Sequence, residues 1–185
     1  MRLPRNKAVG KQAGTYLYDN VDKNGNHYVG IYSKGPDGKG PEFKDLNGAA
    51  GKLNSIIQDS RIATVVTVSP ATVVSGPDFS PNGAVGPTTS GLTPGTSRPV
   101  NQIGGNEVVY LTSGNPGTLN KTLSSTRHEA PLTLGDIFSH ELGHVFARWF
   151  GGDSNTSSVQ MENDTRRLNG EPTRTGHDAR DDVPH

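Results

Sequence analysis

Residues 133–152 read TLGDIFSHELGHVFARWFGG, and this stretch decides how the chain is built. Thr133 and Asp136 form a variant of the capping box, which opens a helix with an acidic group near its positive end. Gly151-Gly152 closes it, so a helix to about Phe150 is expected. Along that helix Phe138, Leu142, Val145 and Trp149 fall on one side, with His140 and His144 roughly opposite. Residues at i and i+4 project from one face, so the two imidazoles are spaced to hold one tetrahedral zinc ion. Glu141, next to the first imidazole, is placed to take a proton from a water whose pKa the zinc lowers toward neutrality. The chain has six histidines, so chance would supply only about 0.006 such patterns in a sequence of this length.

A catalytic zinc site takes three protein ligands and keeps a fourth position open. A third histidine six residues after His144 is ruled out, because Phe150 stands there. Glu162, on a helix expected over Ser157 to Leu168, is the first candidate, with Arg166 or Arg167 placed to hold its carboxylate from behind. Asp153 is the competing ligand; a solvated carboxylate paired with Arg166 is the bland alternative for Glu162. Amide hydrolysis also needs a donor for the developing oxyanion. His177, followed by Asp178 that would set its tautomer, is the candidate catalytic donor, with His128 and Tyr110 as alternatives. A tail histidine without a role is the competing reading of His177.

Outward from this centre the pattern changes. TYLYDNV (15–21) and HYVGIYS (27–33) flank DKNGN, which predicts a hairpin turning at Asn24-Gly25. Residues 45–59 place Leu46, Ala50, Leu53, Ile56 and Ile57 on one helical face, with Gly48 and Gly51 allowing close packing on a sheet. RIATVVTV (61–68) reads as a strand apolar on both faces, which suggests a central position. Residues 69–106 read as a long Gly-, Pro-, Ser- and Thr-rich loop able to wall or cover a cleft. EVVYLT (107–112) is a strand whose edge is the candidate for pairing with an extended substrate main chain. Residues 1–14 read as a linker or arm, leaving 15–185 as one domain.

Composition narrows the classes. Of 185 residues, 24 are Gly and 13 Pro, and only 30% are hydrophobic, so the core is small and the chain loop-rich. Eighteen basic residues balance eighteen acidic ones, which leaves no excess to neutralise a phosphate backbone and argues against nucleic acid as a partner. No apolar run is long enough to insert in a membrane. The basic stretch 1–11 is not followed by the apolar run of a secretory signal. Without Cys there is no disulfide framework, thiolate ligand or cysteine nucleophile.

SHELGHVFARWFGG, followed by SVQMENDTRR and PTRTGHD, resembles the NleD-like type III effector zinc metallopeptidases of bacterial pathogens, whose relatives also form C-terminal toxin domains. The resemblance covers roughly residues 133–178. It implies that His140, His144 and Glu162 are zinc ligands and Glu141 the general base of a gluzincin-like endopeptidase. It further implies secretion or injection by a bacterial secretion system and cleavage of a protein in the target-cell cytosol, where a chain without Cys is at home. Some members cut mitogen-activated protein kinases. An immunity or inhibitor protein is the expected partner of a toxin used against competing bacteria. The expected architecture is one α+β, zincin-like domain with a small twisted sheet, the HExxH helix and a C-terminal helix. Two other functions stay open: a catalytically silent zincin-fold binding module, and a zinc hydrolase of a non-peptide amide.

Overall fold

Residues 8–68, 74–75, 84–85, 95–99, 106–112 and 133–173 are described by a computed structural model. Within them the chain is a mixed α+β structure, with helices packed on a three-stranded sheet and separate two-stranded antiparallel pairs.

Part of the segment expected to be an arm belongs to the core. Ala8 and Val9 are buried, as is Ala13 in α1 (Gly10–Gly14), the helix that follows them. The buried hydroxyls of Ser139 and Thr165 lie 2.9 and 2.6 Å from the Ala8 carbonyl oxygen and 2.7 Å from each other. Asn47 donates to the Val9 carbonyl. Small side chains explain this placement: they let the backbone come close enough for its carbonyls to satisfy buried donors. The basic composition of 1–11 concealed it.

β1 (Leu17–Val21) and β2 (His27–Ile31) pair antiparallel from Leu17↔Ile31 to Val21↔His27, as the sequence predicts. Gly25 takes the positive φ of 82°. The Asp22 carboxylate accepts the backbone N–H groups of Asn24 and Asn26, which ties the five-residue connection 22–26 together.

α2 (Gly48–Gln58) starts later than expected, after a single 3₁₀ turn over Phe43–Asp45, because Asn47 caps it by accepting the Ala50 N–H. Ala49, Ala50, Leu53 and Ile56 are buried, with Leu46 and Ile57 packed on the same cluster. A Cβ on Gly48 would sit 2.8 Å from Asp164 Oδ2, so this glycine admits a helix where a sheet was expected. At the C-terminal end of α2, Asp59 receives two side-chain hydrogen bonds of 2.7 Å from Arg61. These, and then the Arg61 backbone N–H, hold the Asp59 carboxyl down to about 2 against the opposing effect of desolvation. Arg61 also donates to the Trp149 carbonyl and lies 4.7 Å from the centre of its ring.

The larger sheet has the order β3 (Ala63–Val68), β7 (Glu107–Thr112), β6 (Gly95–Pro99). β7 is its middle strand, parallel to β3 and antiparallel to β6. The strand at 61–68, expected in the centre, therefore lies at an edge among the described residues. Its β-branched composition reflects strand propensity, and burial is one-sided, with Ala63 and Val65 against the core and Thr64 exposed. Glu107, Val109 and Leu111 alternate along β7 and are fully buried. Because β7 is covered by a strand on each side, its expected role as a free edge for substrate does not hold within these residues. The span 69–106, expected to be loop, contains β6 and a short pair, β4 (Val74–Ser75) with β5 (Ala84–Val85). Parallel neighbours require the chain to return across the sheet between them, and β6 makes part of that return.

α3 (Leu134–Phe150) has the expected capping box: Thr133 Oγ1 accepts the Asp136 N–H while Asp136 Oδ2 accepts the Thr133 N–H. Gly151, at φ 87°, ends it. Asp153 caps α4 (Ser154–Asn169) by accepting the Thr156 N–H, and Gly170 closes that helix in the left-handed conformation. The connection is only three residues long, so the two helices fold back on one another.

Candidate metal centre

The site is built on the α3–α4 hairpin. Contacts run in opposite directions along the two helices: Ser139 meets Thr165, His140 meets Glu162, Gly143 meets Ser158, and His144 meets Ser154. This antiparallel register depends on Gly143. A Cβ there would stand 2.5 Å from Ser158 Cα and 2.7 Å from the Ser157 carbonyl oxygen, both fixed backbone. On the other side of α3, Phe138, Leu142, Val145 and Trp149 are buried in the main cluster, the side assigned to them from the sequence. The histidines are thus held on the face opposite the hydrophobic core.

The Nε2 atoms of His140 and His144 converge to 3.2 Å. Two nitrogens that bind one tetrahedral zinc at about 2.0–2.1 Å are separated by about 3.3 Å. The observed spacing matches that edge. His140, Glu141 and His144 offer ligand atoms that all lie within 4.8 Å of one another, the one such group among the described residues. Glu141 is buried, and a buried carboxylate beside two imidazoles suits both metal attraction and proton transfer. The two imidazole donors, with no thiolate beside them, fit zinc, and Glu141 stands next to them as the base.

Glu162, the expected third ligand, stands behind the His140 ring. It is fully buried, and its Oε2 lies 2.9 Å from His140 Nδ1, the ring nitrogen turned away from His144. Its Oε1 accepts from Arg166 Nε at 2.8 Å. Both oxygens are committed, one to the back of an imidazole and one to a guanidinium. The solvated carboxylate reading is also overturned, whereas the pairing with Arg166 is present. The physical reason lies in the helix rotation: Glu162 faces α3 directly, so it meets His140 from outside the converging pair.

Asp153, the competing ligand, is exposed and accepts from Thr156 as the α4 cap. Arg167 is exposed and pairs with Asp164, leaving the contact with Glu162 to Arg166. The sequence reading missed Ser154, whose Oγ is 2.8 Å from His144 Nδ1. The signal was the aspartate cap at 153, which starts α4 before Ser157 and brings Ser154 onto it. His177, Asp178 and His128 lie outside the described residues, as does the side chain of Tyr110.

Family models, curated proteins and solved structures were each compared with the chain, and none matches it.

Proposed function

We propose that this chain is a zinc-dependent endopeptidase of zincin-like fold, akin to the NleD-like effectors, that is delivered by a bacterium and cuts a protein in the target-cell cytosol. One observation carries the reading: two imidazole Nε2 atoms converge to 3.2 Å on the helix that also supplies a buried glutamate between them. The resemblance over 133–178 supports the class of substrate and the delivery.

His140 and His144 would supply two of the three protein ligands that a catalytic zinc takes. When bound, zinc supplies the Lewis acidity that polarises a peptide carbonyl and makes a water nucleophilic near neutral pH. Glu141 accepts the proton as the water oxygen bonds to the carbonyl carbon. It then returns that proton to the amide nitrogen as the C–N bond breaks, leaving a carboxylate and an amine. His177 is the proposed oxyanion donor.

Glu141→Gln removes the base while preserving shape. The variant should bind zinc and melt like the wild type, yet generate none of the new protein termini that the wild type generates in a proteome extract read by mass spectrometry. Undiminished cleavage by the variant would refute the mechanism. Zinc binding without cleavage by the wild type would favour the silent module, and turnover confined to small amides would favour the non-peptide hydrolase.

A further inference from the structure

Resting on the zinc reading above, we infer that α4 is a positioning helix: Ser154 and Glu162 orient the two histidines through their Nδ1 atoms, and Glu162 is an orienting carboxylate and not a ligand. The contacts are one to each ring, Ser154 Oγ at 2.8 Å from His144 and Glu162 Oε2 at 2.9 Å from His140. An imidazole that binds zinc through Nε2 carries its proton on Nδ1 and needs an acceptor there. Both acceptors come from one helix, eight residues apart, opposite two histidines four residues apart on α3. Arg166 completes the arrangement by holding Glu162 Oε1, which prevents the carboxylate from swinging round the ring. Glu162 and Arg166 are both fully buried. A carboxylate so enclosed has no route to the Nε2 side without breaking both contacts.

Positioning and ligation predict different losses. Zinc affinity, measured by competition with a chromophoric chelator, should remain at one ion per chain in Glu162→Gln and weaken by about 10–100-fold. Ser154→Ala should weaken it by about 10-fold, and Ser154→Thr, which keeps the hydroxyl, should restore it. His140→Ala, which deletes a ligand, should lose more than about 1,000-fold. In the wild type, long-range ¹H–¹⁵N spectra of the zinc-loaded protein should show both rings protonated at Nδ1 and metal-bound at Nε2. Ser154→Ala, which removes only a hydroxyl contact to His144, keeps the test open even if Glu162→Gln fails to fold.

A loss in Glu162→Gln as deep as in His140→Ala would overturn the inference and leave the zinc reading intact, as would unchanged affinity in both Glu162→Gln and Ser154→Ala. Metal at His140 Nδ1 would do the same. A wild type that takes up no zinc would overturn the zinc reading and the positioning role together.

Discussion

Each histidine of the pair uses its two ring nitrogens for different partners, Nε2 for the other ring and Nδ1 for a group on α4. That division was only partly legible in the sequence. The i, i+4 spacing identifies His140 and His144 and places Glu141 beside them, because helical geometry alone brings those side chains together. The helix expected over Ser157 to Leu168 brings Glu162 toward the site but does not say which ring nitrogen it meets, since that depends on how α4 is rotated against α3. Asp59 is a second position where one side chain decides the behaviour of its surroundings. Its folded carboxyl is held at about 2, below the ordinary 3.8, so the contribution it makes to stability is complete above about pH 3.8 and is lost as pH falls toward 2. Denaturant titrations from about pH 5 to about pH 2 should show stability falling with acid in the wild type. The fall should be shallower in Asp59→Asn, which starts less stable at neutral pH.

At the scale of elements, local rules succeed where backbone chemistry is self-contained. The Thr133–Asp136 box, the Gly151 stop and the β1–β2 hairpin are such cases, each set by residues within a few positions. They fail for β6, because GTSRP has no alternating apolar pattern; its pairing with β7 is made by main chain, and Pro99 is tolerated on a strand that is an edge among the described residues. They also misplace β3, since β-branched runs report strand propensity and not the number of neighbours. Gly143 is the element-scale hinge of the site, because the gap between α3 and α4 is set by the absence of its Cβ. Gly143→Ala should destabilise the protein by about 1–3 kcal/mol in urea unfolding, despite the better helix propensity of alanine. It should also weaken zinc binding, because forcing the helices apart draws Ser154 and Glu162 from the rings.

Across the whole molecule, a chain short of hydrophobic residues holds the last of its described helices with buried polar groups. The buried side of α4 carries Ser158, Glu162, Asn163, Thr165 and Arg166, with Met161 adding apolar contact. Composition exposes the shortage of apolar residues but not this remedy, which needs partners from distant parts of the chain. Ala8 supplies one of them, 131 residues from Ser139 and 157 from Thr165. Deleting residues 1–9 should therefore cost at least about 3 kcal/mol in urea unfolding, from lost Val9 burial and two hydroxyls deprived of a buried acceptor. The central claim is that the α3–α4 hairpin holds one zinc ion between His140 and His144. X-ray absorption at the zinc edge, on stoichiometrically loaded protein, tests it most directly. The predicted result is one four-coordinate zinc per chain with two imidazole nitrogens at about 2.0–2.1 Å. Failure to retain zinc, or a spectrum without imidazole scattering, would contradict the claim.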